Sequence, residues 1–223
     1  MDTNSKNDGI LKIKSLEKEH LELGKKIICV DNGALYPFDI LTLATLNRSL
    51  SLCSGFRKMI YAKNFICAAP LIRLQLDSVL RMYAASIVND PHSLSNNIFQ
   101  GISVRDQKDK TGKKMTDAYL VEGLSKDYEW IESVYKQTSG YIHLSINHIA
   151  NACKNYNKET RSIEYVVSNN QDFLPQSAFV EAINAFIKCT ETLFVYLEGW
   201  VFSKNNPTLA KEMIKQRELK TTV

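Results

Sequence analysis

The chain has 223 residues, 44% of them hydrophobic and 23% charged, which is the composition of a globular protein and excludes a disordered chain. The formal net charge of +4 is too small to indicate nucleic-acid binding by itself. With only 9 glycines and 5 prolines the chain is poor in turn residues, which favours long helices and excludes a fold made mainly of strands.

Apolar residues at helical spacing predict three long helices in the first part of the chain, over residues 6–29, 39–63 and 64–88. Asp39 is suited to cap the second helix because its carboxylate can accept from the free amides of the first turn. The sequence Asn89-Asp90-Pro91 should end the third helix, since a proline disfavours helical geometry in the residue before it.

The second part of the chain is less regular. We expect an exposed basic loop over 105–114, where five cations accompany two aspartates. Spacing and turn residues predict the remaining elements: a short helix over 96–102, a helix over 125–153 that Ser139-Gly140 can interrupt, a strand over 163–167, a helix over 177–204 and a charged helix over 207–220. The whole chain, 1–223, should form one all-α domain, a bundle of about four main helices plus short peripheral helices.

The five cysteines are odd in number, and no two lie within three residues of each other. This pattern argues against a disulfide framework and a zinc knuckle, so we predict no metal and no cofactor. Reduced thiols indicate a cytoplasmic protein. The most apolar late stretch, 178–202, carries several charges, so we expect no membrane span.

A stripe of charges marks the third predicted helix. Arg73, Asp77 and Arg81 are the only charged residues between Ala68 and Val88, and their spacing of four places them on one helical face. A helix so poor in charge is normally buried in its domain. We therefore predict that the three charges are largely buried, where they are paired or line a cleft, because an unpaired buried charge is prohibitive.

A second polar stripe is predicted in the later helix. Tyr135, Ser139, His143 and Asn147 are again spaced by four, within a stretch that carries no charge from Gln137 to Ala152. If both helices border the core, the two stripes can share one network. Arg73 and Arg81 would then meet Tyr135, Ser139 and His143, with Asp77 between the two arginines.

These residues resemble a known family. The segment 71–77, Leu-Ile-Arg-Leu-Gln-Leu-Asp, followed by Arg81, is similar to the "Leu-Leu-Arg, then acidic residue" helix of a family of uncharacterised bacterial HEPN-like proteins. Tyr135, Ser139 and His143 match that family's "Tyr, three residues, Ser, three residues, His" helix, in the same order along the chain. The resemblance covers roughly residues 41–150.

The resemblance implies a HEPN-like helical bundle that forms a homodimer. Many members of that superfamily are metal-independent ribonucleases in toxin–antitoxin and phage-defence systems, which implies RNA or another phosphate-containing ligand, and a protein partner encoded by a neighbouring gene. A catalytic site would use His143 as the acid–base group and Arg73 and Arg81 as phosphate clamps. Asp77, Ser139 and Tyr135 would complete that site.

An alternative is a non-catalytic HEPN-like module that binds RNA, a nucleotide or a protein partner. In that case the polar stripes form a structural network that fixes the register of the helices. The superfamily's usual signature is an arginine, four to six intervening residues and then a histidine. This chain departs from it, since Arg81 and His92 are already eleven apart, and the departure favours the non-catalytic alternative.

Overall fold

The computed structural model describes residues 2–210, 212 and 213, and the side chains from residue 5 onward. Its helices are α1 (Asp2–Cys29), α2 (Pro37–Tyr61), α3 (Phe65–Ile87), α4 (Pro91–Phe99), α5 (Asp117–Ser125), α6 (Trp130–Ser139), α7 (Ile146–Ala150) and α8 (Gln176–Asn205). A small antiparallel hairpin, β1 (Cys153–Asn157) and β2 (Ser162–Tyr165), lies between α7 and α8.

Four long helices form the bundle. Helix α1 packs against α2 and α8, and α3 packs against the same two helices. One connected hydrophobic core lies between them, with the rings of Phe56 and Phe186 stacked at its centre, 4.2 Å apart. The predictions of an all-α fold and of four main helices are therefore confirmed.

Side-chain caps explain where several helices begin. Asn64 accepts from the backbone amide of Cys67 at 3.0 Å, and Asp90 accepts from the amide of His92 at 2.9 Å. Asp39, predicted to cap α2 at its first position, is instead the third residue of α2 and closes a capping box, in which its carboxylate accepts from the amide of the N-cap residue Tyr36 at 2.8 Å. Each of these bonds satisfies an amide that has no partner inside its own helix.

The helix predicted over 125–153 is wrong in extent. The chain forms α5, which was not predicted, ends it at Ser125, and then forms the two short helices α6 and α7 and the strand β1. The strand predicted over 163–167 begins one residue earlier and ends two residues earlier, at Ser162–Tyr165. The short helix predicted over 96–102 begins earlier, at Pro91, because Asp90 caps it.

Residues 207–210, 212 and 213 are helical, and the rest of the charged helix predicted to end at Lys220 lies outside the described residues. Within the described part of the chain, we find no helix that combines the length and the apolar character needed to cross a bilayer.

A polar network is sealed inside the bundle. The imidazole of His20, only 1% exposed, lies 2.7 Å from both the backbone oxygen of Leu16 and the hydroxyl of Ser49. The amide of Gln75 donates to the same hydroxyl and to Thr190 on α8 at 3.0 Å. Because Leu16 can only accept, the proton of the neutral ring lies on Nδ1 and Nε2 accepts from Ser49. The network thus ties α1, α2, α3 and α8 together.

A buried ion pair closes one end of the bundle. The ammonium group of Lys204, near the end of α8, lies 3.0 Å from the carboxylate of Asp39, and their side chains are 2% and 0% exposed. Lys204 also donates to the backbone oxygens of Ile27 and Ala34, and Trp200 donates to Asp39 at 2.7 Å. The pair is therefore surrounded by hydrogen bonds, which a buried charge requires.

Candidate functional site

Charged side chains of α2, α3 and α5 meet in one group, which we call the arginine–aspartate cluster: Arg48, Arg73, Asp77, Arg81 and Asp117. Asp77 pairs with Arg48 at 3.1 Å and with Arg81 at 2.5 Å. Asp117 pairs with Arg81 at 2.7 Å and with Arg73 at 2.9 Å. The five charges thus alternate in sign along the cluster, and each aspartate pairs with two arginines, which leaves the cluster with one net positive charge.

The mutual charges and hydrogen bonds favour the ionised forms of Asp117 and Arg81, and partial burial opposes them. Burial alone would raise the pKa of the Asp117 carboxyl, but the hydrogen bond and charge of Arg81, followed by the charge of Arg73, outweigh it and lower the pKa. Burial alone would lower the pKa of the Arg81 guanidinium, whereas the charges and hydrogen bonds of Asp77 and Asp117 raise it. The side chains of Arg73, Asp77 and Arg81 are 12%, 23% and 25% exposed, so they are partly buried, as the stripe suggested.

Tyr135 of α6 joins the cluster through its ring. The guanidinium carbon of Arg73 lies 4.3 Å from the ring centre, within the range of a cation–π contact. The structure therefore brings together four of the six predicted site residues: Arg73, Asp77, Arg81 and Tyr135.

Ser139 and His143 do not join them. Ser139 is the last residue of α6, and its hydroxyl donates to the backbone oxygen of Tyr135 at 2.6 Å. His143 is exposed in the turn that follows, four residues beyond the end of the helix. The expectation of one continuous stripe through Tyr135, Ser139 and His143 is therefore wrong.

Helix α6 ends at Ser139 because Ser145 caps a new helix, α7. The Ser145 hydroxyl donates to the backbone oxygen of Gly140 at 2.5 Å and accepts from the amide of Asn147 at 3.2 Å. The ring of Tyr141 packs edge-on against Phe65. Local side-chain bonds of this kind compete with the helix, and here they turn the chain away from it.

Arg48 and Asp117 are cluster members that the sequence did not reveal. Asp117 did carry a signal, because it follows Thr116, whose hydroxyl accepts from the amide of Tyr119 and caps α5. Arg48 carries none: its partners Asp77 and Ser78 lie on another helix.

The basic loop over 105–114 is exposed at its cations, as predicted, but it is built around a buried carboxylate. Asp109, 8% exposed, accepts from the amides of Thr111 and Lys113, both at 2.9 Å, and from the hydroxyl of Tyr119 at 2.6 Å. Burial alone would raise the pKa of Asp109, and these hydrogen bonds, first that of Tyr119, lower it instead. The loop is thus tied to α5.

Residues 142–167, which run from the turn before α7 to just beyond the hairpin, leave many apolar side chains in solvent, and we call them the 142–167 surface. Leu144 is 89% exposed and Val167 is 99% exposed. The members of this surface that are at least 46% exposed are Ile142, Leu144, Ile146, Ile149, Tyr156, Ile163, Tyr165 and Val167.

A cleft of about 280 Å³ lies between α3, α6 and α8, next to this surface, and both apolar side chains and the polar Gln137, Thr138 and Glu181 line it. Ile72, Val134 and Ala182 line it, and Tyr141 and Asn147 border it from the segment that carries the 142–167 surface. The cleft is therefore adjacent to the exposed residues in both sequence and space.

No family model, curated protein or solved structure matches the chain. The HEPN-like resemblance therefore rests on the motifs alone. Among the residues that the structure describes, no three His, Cys, Asp or Glu side chains are grouped to hold a metal ion. The absence of a metal and of a cofactor stays a prediction.

Replacing Asp117 by asparagine should lower the free energy of unfolding by about 1–2 kcal/mol, because Arg73 and Arg81 both lose a charged partner that is only partly screened by solvent. Denaturant unfolding monitored by circular dichroism measures the change. Glu122→Gln, an exposed change on the same helix, should alter stability by less than about 0.5 kcal/mol. Equal stability of both variants would contradict a structural role for the cluster.

Proposed function

We propose that the chain is a non-catalytic helical module that binds a protein partner through the 142–167 surface. The observation that carries the proposal is the group of large apolar side chains that this surface leaves in water. Monomeric proteins rarely expose apolar patches of more than a few hundred square ångströms, and larger ones mark interaction sites.

The hairpin supports the same proposal. Tyr156 lies opposite Ile163 in the register, and Tyr165 shares their face because it is two residues from Ile163. All three are more than half exposed. A lone two-stranded hairpin is marginally stable in water and needs packing against another element, so a partner that covers this face would stabilise it.

The arginine–aspartate cluster favours this proposal over the ribonuclease hypothesis. A phosphate clamped by Arg73 and Arg81 would have to compete with carboxylates that are already in place, because the Nη2 groups of both arginines donate to Asp77 and Asp117. An acid–base group must also reach its target within hydrogen-bond distance, and His143 lies outside the cluster. The cluster is better suited to hold α2, α3 and α5 in register, as the alternative prediction has it.

Two finer points belong to the same proposal. We place the protein in the cytoplasm, since Cys29, Cys53, Cys67, Cys153 and Cys189 are all free thiols and the cytosol keeps thiols reduced. A role in toxin–antitoxin or phage-defence systems, with a partner encoded by a neighbouring gene, stays a prediction from the resemblance.

Site-specific photo-crosslinking in cells tests the proposal. A photoreactive amino acid at position 144 should give one reproducible protein adduct, and Ile163→Lys in the same chain should abolish it. The same amino acid at position 11, where Leu11 is 62% exposed on α1, should give none and is the matched control. An RNA adduct at position 144, or no adduct at all, would contradict the proposal.

Incubation of the purified chain with total RNA and without added metal completes the test. We expect no cleavage above background. Cleavage that leaves 2′,3′-cyclic phosphate ends and that disappears in His143→Ala would overturn the non-catalytic assignment and restore the ribonuclease hypothesis.

A further inference from the structure

We propose that the basic loop over 105–114 is a docking surface for an acidic segment of a partner protein, with the pair Lys108 and Lys114 at its centre. The loop shares no residue with the 142–167 surface, so this inference goes beyond the proposed function and does not rest on it. Three features of the loop support the proposal: two lysines held face to face, a backbone fixed by a buried carboxylate, and a surplus of exposed cations.

The first feature is the position of the two lysines. Lys108 and Lys114 form an antiparallel bridge, and backbone hydrogen bonds of 2.9 and 3.0 Å join the residues on either side of them. The pair itself is therefore non-hydrogen-bonded, the arrangement in which facing Cα atoms are only about 4.5 Å apart and the side chains lie closest. Like charges directly opposite each other destabilise a pair of strands. A carboxylate bound between the two ammonium groups would relieve this repulsion.

The second feature is the rigidity of the turn between the two lysines. The Asp109 carboxylate accepts from the amides of Thr111 and Lys113 and from the hydroxyl of Tyr119. Neighbouring residues of an extended segment point to opposite faces, so the inward Asp109 directs Lys108 away from α5 and into solvent, where both facing lysines are exposed. A backbone already fixed in this way loses little conformational freedom when a ligand binds.

The third feature is the surplus of positive charge. Within the described part of the chain, Lys108 and Lys114 take part in no ion pair. Of the two acidic residues of the loop, Asp109 is buried, and Asp106 accepts from the hydroxyl of Ser103 at 2.6 Å. The charge of the two facing lysines is therefore complementary to an acidic ligand.

These features favour an acidic peptide segment over a nucleic acid or a membrane. Single-stranded nucleic acid binds where its bases stack on aromatic rings. The ring beside the turn, Tyr119, donates its hydroxyl to Asp109 and carries the ammonium of Lys113 over its face at 5.8 Å. Binding in a membrane interface requires apolar side chains beside the cations, whereas Asp106 and Thr116, which flank the turn, are polar. The carboxylates of a peptide need only the cations.

Fluorescence anisotropy of a fluorescein-labelled oligoglutamate peptide tests the proposal on the full chain at low salt, where surface charges are little screened. The wild-type chain should bind this peptide and not its oligoglutamine counterpart. Lys108→Gln with Lys114→Gln should weaken binding about fivefold to tenfold, the effect of two surface ion pairs. Lys14→Gln with Lys188→Gln removes two exposed charges from α1 and α8 and is the matched control, which should weaken binding by about twofold or less.

Asp109→Ala separates a preformed site from simple attraction by net charge. This variant gains one unit of positive charge but loses the bonds that fix the turn, so we expect it to bind the peptide more weakly than the wild-type chain. Circular dichroism first shows that each variant is folded; if Asp109→Ala is not, the lysine variants decide alone. Denaturant unfolding without peptide adds a second readout: the Lys108 and Lys114 double variant should be at least as stable as wild type, because the repulsion between the two lysines is gone.

The other outcomes overturn the proposal. Absence of peptide binding at low salt rejects the site. Equal weakening in the two double variants, or tighter binding by folded Asp109→Ala, means that the loop attracts anions only through net charge. A Lys108 and Lys114 double variant less stable than wild type contradicts the repulsion between the lysines. Tighter binding of a single-stranded RNA or of phosphatidylserine vesicles, lost in the same double variant, assigns the surface to that ligand instead. None of these results changes the photo-crosslinking at position 144, so this proposal can fail while the proposed function stands.

Discussion

Replacing Lys204 by methionine should lower the free energy of unfolding by about 3–5 kcal/mol, the range seen when one partner of a buried ion pair is removed. The change leaves the Asp39 carboxylate fully buried without its cation. It also leaves the backbone oxygens of Ile27 and Ala34 without the ammonium donor. The loss should therefore be larger than that of any exposed charge in the chain.

Denaturant unfolding of the wild-type chain and of Lys204→Met measures this difference in the free energy of unfolding. Lys188→Met, an exposed lysine on the same helix, is the matched control and should change stability by less than about 0.5 kcal/mol. The double variant Lys204→Met with Asp39→Leu should recover part of the loss, because it removes the uncompensated charge. If Lys204→Met is as stable as Lys188→Met, the ion pair does not hold the end of the bundle.

Replacing His20 by alanine should lower the free energy of unfolding by about 2–4 kcal/mol, since it opens a cavity in the core and removes the acceptor of the Ser49 hydroxyl. His20 also packs edge-on against the ring of Phe194, 4.6 Å away. His143→Ala removes an exposed imidazole and is the matched control, with an expected change of less than about 0.5 kcal/mol.

The same residue should make stability depend on pH. Burial lowers the pKa of His20 by more than the hydrogen bond to Leu16 and the charges of Glu17 and Glu19 raise it. In the unfolded chain the pKa returns to about 6.5. As the pH falls below that value, the unfolded chain binds a proton that the folded chain refuses, so stability is full above pH 6.5 and is lost below it. His20→Ala should remove this slope between pH 7 and 5, and an unchanged slope would assign it to other groups.

The four bundle helices were predictable because their apolar residues repeat without interruption over many turns. In the later segment, Ile131, Ile142 and Ile149 also fall at helical spacing, yet the helix ends at Ser139. Periodicity does not show that the Ser145 hydroxyl will bond to Gly140, or that Tyr141 will pack on Phe65. Whether such local contacts end the helix depends on the surrounding fold, which the spacing of apolar residues does not show.

Only the part of the candidate site that lies on α3 was predictable from the sequence. The isolation of Arg73, Asp77 and Arg81 on an apolar helix predicted that they are largely buried and that they are paired or line a cleft; the structure pairs them and leaves them 12–25% exposed. Their partners Asp117 and Arg48 come from other helices, 36 residues after Arg81 and 29 before Asp77. No pattern in a single sequence links residues so far apart. The sequence therefore identified the charges on α3 but not Asp117 and Arg48, which pair with them.

The segment that carries the 142–167 surface leaves the bundle and returns to it at one place. Tyr141 packs on Phe65 as the segment departs, and Gln171 bonds to the backbone of Lys63 and Ile66 as it comes back. Its length and sequence can therefore change without redirecting any of the four long helices. If the 142–167 surface binds a partner as proposed, folding and recognition are encoded by separate stretches of this chain, and the recognition stretch can vary in evolution while the four-helix core stays the same.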